Sequence, residues 1–592
     1  MSLLRLRPGV HYAPVDGGVY FSSARSTFVV RGPAVLFRVV DICLPRLEDG
    51  ADVDGLVAAI GVPAARPLVS HLVDTLDSRG LILHLDRLQA PEPEPTDRDR
   101  FPEALAYLET HRDDPYGDFR RIRDARVLLA GPAEALGPAA RGLLRAGVGQ
   151  VMIATPEPDR LSGLAARHPE VRLLLDGPGE PPEAAVIFSA DGFPAEAIAH
   201  LPGSCVAVPV RLGKDLAVVG PAMGADDDPR AAEQLWQRAV HWSGLDGDDL
   251  LVRPSGDLLA GALAGQAAFD ALVGLHPERV HLVHGPDLSS EAITPRPSSH
   301  DHVDPPAVAR ATGPDQGPEA TGPDQGPRAT GPDADDGPGG DWVASLSARW
   351  SGLFRIAVPD DLPQMPLALT LAEGRTHGFD SRTLGFGPDQ ETSTREAALD
   401  ALRHHCAAVL PAAPEPAVSA AAVDQRRWFL DGALRLLAGA AGSEDPLDPR
   451  RLQDAEIRRM WRAVEEHELT PIRLSRRRVS GFGWPMVSVH DRRRGVRLAG
   501  GWGPTEAVAA QAAVSTALAT LQVRRSVDPG FRPPVDGPGF LGYPHDPYLE
   551  DLAAQVESWL ATTGRRLWGQ RLRRDRAAGP VTPFCGSVWL DD

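Results

Sequence analysis

Between Thr294 and Gly340 the chain runs through ATGPDQGPE, ATGPDQGPR and ATGPDADDG, three copies of a nine-residue unit with no apolar residue larger than alanine. Such a stretch has nothing to stack into a core, and its Pro, Gly and Asp content indicates disorder. It reads as a tether over residues 294–340, so the chain on either side must build its own hydrophobic interior. A chain of 592 residues is too long for one core in any case and divides into roughly three or four domains. A shorter Pro and acid segment, QAPEPEPTDRD at 89–99, reads as a stiff linker that sets off a small first module, residues 1–88.

Charge removes several function classes. Against 61 Lys and Arg stand 80 Asp and Glu, so nucleic acid and anionic membrane surfaces are unsuitable partners. The first 90 residues differ, with nine arginines and nine acids, and can tolerate an acidic ligand. Lys214 is the one lysine and is followed by Asp215, which excludes a phosphate-loop lysine. Cys43, Cys205, Cys406 and Cys585 are too far apart for zinc-ribbon or redox spacing and are expected as free thiols. The start MSLLRLRPGV lacks a signal-peptide core, and no apolar run reaches the roughly 18 residues of a membrane span, so a soluble cytoplasmic protein is expected.

ARVLLAGPAEALGPAARGLLRAGVGQVMIAT, residues 125–155, has the outline of a strand, turn, helix and second strand. A dinucleotide fingerprint places three glycines at that turn and a carboxylate after the second strand. Only Gly131 remains. Ala133 and Leu136 occupy the other glycine positions, Glu134 puts negative charge where phosphate would sit, and the second strand ends in Ala154 and Thr155. Glu157 and Asp159 are held in a proline-stiffened segment. The expectation is a nucleotide-type scaffold retained for its shape, with no bound cofactor.

In the first module, Val10–Pro14, Val19–Ser22 and Thr27–Arg31 alternate as strands, with a hairpin turn at Gly17 and Gly18. Three helices follow: one opened by Pro33 and running to about Leu47, one capped by Asp52, and one from Arg66 to Arg79 stopped by Gly80. Three strands and three helices make a winged-helix-like module. A DNA-binding reading fails on charge, since Asp74 and Asp77 lie within the third helix. The stretches RPGVHYAPVDGGVYFSS, FVVRGPA and LVDTLDSRGLI resemble the peptide-recognition element related to PqqD, found in proteins that modify ribosomally made peptides. The resemblance implies that a precursor's leader segment adds as a strand along Thr27, Phe28, Val29, Val30 and Arg31, against Leu68, Leu72 and Thr75 of the third helix. Val69, Val73 and Leu76 are read as the module's own core.

Behind a linker and helix at 89–117, residues 118–293 resemble the ThiF family through FRRIRDARVLLAGPA, LLRAGVGQVMIAT and DLAVVGPAMG. The recognition module together with a ThiF-like domain resembles the partner protein of YcaO cyclodehydratases, which act in thiopeptide and related biosynthesis. Relatives that hold zinc do so through two cysteine pairs; PAMGADDDPRAAEQLW and ITPRPSSHDH contain none, and His300, Asp301 and His302 are read as solvent-exposed. No structural zinc is expected.

Residues 341–592 contain two glycine turns, each followed by an alanine-rich helix, GFGPDQETSTREAALDALRHHCA and GGWGPTEAVAAQAAVSTALATLQVRRS. These resemble the YcaO fold, in which such helices bind ATP and magnesium through carboxylates. Glu396 and Ala397 match, and Asp400 replaces a glutamate; Arg403 and His404 stand at later positions of the pattern, and Thr520 replaces an acid while Gln522 and Arg524 remain. Arg403 opposes a metal, so Glu396 and Asp400 are read as a surface pair and Cys585 as a solitary thiol. The expected fold is therefore α/β and multidomain: the winged-helix-like module, a degenerate Rossmann-like ThiF domain and a C-terminal α+β domain with YcaO-like features. The expected role is a scaffold without catalytic residues that binds a leader peptide and serves a separate YcaO subunit, which carries ATP and Mg. Catalysis by the chain itself, as an adenylyltransferase or fused cyclodehydratase, is the alternative, and homodimer formation stays open.

Overall fold

The computed structural model of the protein describes residues 3–591 apart from 34, 175–180, 191, 214–215, 228, 245–254, 285–287, 295–307, 311–341, 359, 361, 377–381, 411–412, 441, 450–451, 453, 532–546 and 576–577. Lys214, Asp215, the nine-residue repeat and the His300 to His302 segment lie outside the described residues. Two compact units emerge: Met1–Ala232 with Asp248–Thr294, and Glu233–Gly247 with Pro295–Asp592.

The first unit begins with the small module. Strands His11–Val15, Gly18–Ser22 and Thr27–Arg31 form an antiparallel sheet in chain order. The tight turn falls on Asp16 and Gly17, one residue earlier than the sequence pattern indicates, with Gly17 at φ +75°. Helices follow at Val35–Asp49, Val53–Ile60 and Arg66–Ser78. Asp52 caps the second by accepting from the Gly55 N–H at 2.7 Å, and Gly61 ends it in the left-handed conformation. Missed in the sequence reading is a two-stranded sheet pairing Leu4–Leu6 with Ile82–His84, although the Leu-Arg-Leu alternation is its signal. The core holds Val19, Phe21, Val30, Val69, Val73 and Leu76, all buried.

The segment at 89–99 is not a linker throughout: Pro95 opens a short helix, Pro95–Arg100, because proline at the first helical position costs no hydrogen bond. Helices Pro102–His111 and Pro115–Asp124 follow and lead into a mixed eight-stranded sheet. Its parallel half runs Val206–Leu212, Ala184–Ser189, Arg126–Ala130, Gln150–Ala154 and Val171–Leu173. Strands Leu216–Val219, Val280–His284 and Ser289–Ile293 extend it antiparallel. Its strands read as continuous apolar runs, VLL in Arg126–Ala130 and VMI in Gln150–Ala154, as burial on both faces requires.

The second unit repeats one device. Strand Arg382–Gly387 leads to helix Gln390–Val409, capped by Asp389, and strand Arg497–Trp502 leads to helix Glu506–Ser526, capped by Thr505. A Cβ on Gly385 would lie 1.9 Å from the Ser393 carbonyl oxygen, and one on Gly501 would lie 2.5 Å from the Ala513 nitrogen. Each alanine-rich helix therefore rests directly on strand backbone, which explains both the glycines and the small helix residues. A third sheet joins Ala417–Ala422, Phe584–Asp591, Arg566–Arg571 and Val308–Arg310, so the stretch 294–340 expected as a disordered tether contributes a strand at Val308–Arg310. Among the described residues no helix is long and apolar enough to cross a membrane.

Candidate peptide-binding edge and two closed sites

Among the described residues, strand Thr27–Arg31 pairs only with Gly18–Ser22. The Gly32 N–H donates to the Gly17 carbonyl and the Ser23 N–H to the Ser26 carbonyl, so hydrogen-bonded pairs fall on Val30 and Phe28. By the alternation of an antiparallel ladder, the backbone groups of Thr27, Val29 and Arg31 point to the open edge. The opposite edge, His11–Val15, carries Pro14, which has no N–H to offer and blunts that side.

Side chains along the open strand divide by face. Val30 is buried, and Phe28 stacks on Phe21 with centroids 5.3 Å apart while the Arg79 guanidinium lies 5.2 Å from its ring. Arg79 caps the third helix, so that contact ties the helix end to the strand. Val29 and Tyr20, directly opposite each other, are 47% and 36% exposed, and Thr27 and Arg31 are exposed as well. On the helix the three expected groove residues separate. Thr75 is half-buried and donates to the His71 carbonyl at 2.7 Å; Leu68 is half-buried against the core. Leu72 is 1% exposed and fills the core, so it presents no surface to a ligand: the helical stripe Val69, Leu72, Val73 and Leu76 faces inward as one.

Three arginines seat this module on the helices that follow it. Arg7 donates to the Glu109 and Arg112 carbonyls at 2.7 and 2.5 Å and pairs with Asp113 at 2.8 Å. Arg25 donates to the Thr110 and His111 carbonyls at 2.8 and 2.6 Å, and Arg5 donates to Tyr116 at 2.8 Å. Burial, and then the nearby Arg25 charge, push Arg7 down to about 10. The sequence gives no signal for these contacts, since all cross about a hundred residues.

The nucleotide-type turn is packed against a neighbouring strand and helix. Gly131 sits at φ +152°, and a Cβ there would lie 2.5 Å from Phe188 Cβ. Ala133 and Leu136 are buried. Gly261 and Gly265 of helix Ser255–Leu272 press onto the first turns of helix Ala133–Arg145, where added Cβ atoms would lie 2.1 and 2.8 Å from the Ala135 and Ala139 carbonyl oxygens. Glu134 is paired with Arg160, and hydrogen bonding from its own backbone and from Arg160 holds its carboxyl below the usual range. Asp257 adds a second carboxylate, raised by burial and by Glu134. This turn offers a phosphate two acids, Glu134 and Asp257.

The second closed site corrects the surface-pair reading of Glu396 and Asp400. Asp400 is 6% exposed and faces Arg403 Nη1 at 3.3 Å. Arg403 Nε donates to Asp431 at 2.8 Å, and Asp431 also accepts from the Ala421 N–H at 3.0 Å and Arg435 at 3.1 Å. Burial opposes the Arg403 charge, but Asp431, Asp400 and Glu396 outweigh it and raise the group; the same arginines outweigh burial at Asp431 and lower it. The network neutralises itself internally, which is how these charges come to be buried. Cys585 is buried and shares an apolar cluster with Cys406, so it is neither solitary nor accessible; burial, then the neighbouring Cys585 thiol, push Cys406 up. All four cysteines are free and buried. Among the described residues no group of His, Cys, Asp and Glu has metal-site geometry.

The sequence matches no protein-family model and no curated protein. Among solved structures, a heterocyclase in complex with substrate and cofactor aligns over 99% of this chain and 94% of its own, at 10% identity and TM-score 0.53. The chain shares that fold. E. coli MccB, seen with AMPCPP and MccA, aligns over 50% of this chain and 97% of its own, at 12% identity and TM-score 0.37.

Proposed function

We propose that the chain is a non-catalytic scaffold of ribosomal-peptide modification. It binds the leader of a precursor peptide as a fourth strand along Thr27–Arg31 and presents the core to a separate ATP-dependent YcaO cyclodehydratase that forms thiazolines or oxazolines. The observation that carries this reading is the open edge: Thr27, Val29 and Arg31 direct backbone donors and acceptors outward beside exposed Val29 and Tyr20. Strand addition uses main-chain bonds for affinity and alternate side chains for register. Tethering the leader raises the local concentration of the core without new contacts at the reacting atoms. Residues 1–88 act as recognition module, 118–293 as a ThiF-like scaffold, 294–340 as tether and 341–592 as a YcaO-like half; the buried free thiols suit a reducing cytoplasm.

The shared heterocyclase fold favours one second reading, in which this chain turns over ATP itself. The Arg403–Asp431–Asp400 network and the closed turn at Gly131 speak against it on charge and space. The test is binding of a fluorescent leader peptide, encoded beside this gene, to the full chain and to Val29→Pro. The Val29 N–H faces outward, so proline there removes an edge donor without breaking the internal ladder. Binding by the wild type that falls at least about tenfold in the variant, which is about 1.4 kcal/mol, supports the scaffold. Absence of leader binding together with ATP hydrolysis by the purified chain would replace it with the enzyme reading.

A further inference from the structure

The inward face of the first module's sheet carries a row of aromatic rings that crosses its strands. Tyr12 lies opposite Phe21 and Phe21 opposite Phe28, with ring centroids 6.4 and 5.3 Å apart. Phe21 stacks on Phe28 at an interplanar angle of 11°, and the Arg79 guanidinium sits 5.2 Å from the centroid of that same Phe28 ring. With Phe21 on one face of the ring, the guanidinium takes the other, which looks to the open edge. Neighbouring strands stand about 4.8 Å apart, so Arg79 occupies the next place in the row, where a fourth strand would bring the residue opposite Phe28. Arg79 is exposed and has no carboxylate partner among the described residues, whereas Arg25 of the same module is paired with Asp113 and Arg66 with Asp54. Asp77, two residues before Arg79, is committed to His84 at 2.9 Å.

The outward face adds a second cation. Arg31 is exposed, has no carboxylate partner among the described residues either, and lies opposite Gly18, so no side chain covers it from that strand. Between the two arginine positions come Val30, buried on the inward face, and Val29, exposed on the outward face beside Tyr20. In a chain of net charge −19, two uncommitted cations at one strand edge locally invert the field. A strand laid along this edge meets Arg31, Val30, Val29 and then Phe28 with Arg79 over it, and cross-strand pairs favour opposite charges and apolar partners. We infer that the segment accepted at Thr27–Arg31 has the form acid–apolar–apolar–acid, one carboxylate paired with Arg31 and the other, three residues away, with Arg79. The pattern is the same in either direction, so it holds for parallel and for antiparallel addition. Because the two arginines lie on opposite faces, a slip of one residue turns both carboxylates away from them, and the pair fixes the register. The inference rests on the scaffold reading and names the feature of the leader that the edge selects.

The experiment measures, by fluorescence anisotropy with the full chain, the affinity of the leader encoded beside this gene and of the same leader with both carboxylates of that segment changed to amides. An ion pair at an exposed site is worth up to about fivefold, so the wild-type chain should bind the acidic leader about tenfold more tightly than the amide leader. Arg79→Gln and Arg31→Gln, both at exposed positions and so without risk to the core, should each weaken the acidic leader about threefold and leave the amide leader unchanged. Added salt should erode the same difference, and Arg79→Lys, which keeps the charge, should restore part of it. A leader without such a segment, equal affinity for the two leaders in the wild-type chain, or arginine variants that weaken both leaders alike would overturn the inference and leave strand addition standing. Failure of the wild-type chain to bind either leader is the separate failure of the scaffold reading, and it takes this proposal with it.

Discussion

Two parts of the first unit treat backbone in opposite ways. Along Thr27–Arg31 three residues direct N–H and C=O groups to an unpaired edge, and the only proline in the sheet stands on the other side. At Gly131, a turn before a helix N-terminus, Phe188 packs against the glycine, Glu134 pairs with Arg160, and the glycines of helix Ser255–Leu272 press on Ala135 and Ala139. A helix N-terminus attracts anions only where its amides are approachable. The contrast is one of backbone exposure: a main-chain edge left unpaired among the described residues, and a helix start packed against side chains and a neighbouring helix.

The largest effect comes from reopening the closed turn. Leu136→Gly restores a fingerprint glycine, but Leu136 is fully buried in the unit's main core. We expect a loss of about 3–5 kcal/mol in urea unfolding, from the cavity and from glycine within a helix, with no gain of ATP binding by calorimetry. Nucleotide binding by this variant would mean that glycine alone was missing and would break the comparison.

How much of this was legible in the sequence differs along the same line. Strand boundaries of the module, the Asp52 cap and the loss of two glycines are local and could be read directly. The Pro14 edge could also have been read, since proline in a strand demotes it to an edge. The resemblance places Leu72 in the groove, whereas its spacing with Val69, Val73 and Leu76 marks one buried stripe, which the structure shows. The Arg403–Asp431 network was illegible because Asp431 lies on another helix and pairing across 28 residues leaves no spacing pattern. The Cys406–Cys585 neighbourhood was hidden for the same reason.

A second, smaller effect concerns what holds the open edge in place. Arg7→Met keeps the aliphatic stem and removes three charge-assisted contacts, leaving the Glu109 and Arg112 carbonyls without a donor. The expected cost is about 2–3 kcal/mol of stability. Leader affinity should stay within about twofold, because no atom of Arg7 touches the edge strand. A parallel loss of leader binding would show that the seat of the module, and not the strand alone, creates the site.

The smallest effect separates the two regions by pH. Glu183 accepts from the Arg126 N–H at 2.7 Å and from its guanidinium at 2.7 Å, at the start of two adjacent strands of the large sheet. Hydrogen bonding from the Arg126 side chain, working against burial, lowers its carboxyl. A depressed carboxylate contributes stability above its unfolded value of about 4.3 and loses it as pH falls through the folded value. The side chain is 43% exposed, so screening limits the contribution to under about 1 kcal/mol. Wild type and Glu183→Gln should therefore differ in unfolding free energy by that amount at pH 7 and converge toward pH 3. The strand Thr27–Arg31 has no side chain that titrates in this range, so leader affinity, measured with a leader lacking acids, should stay flat where the sheet's stability does not. A leader affinity that follows the Glu183 titration would tie the open edge electrostatically to the sheet and undo the separation between them.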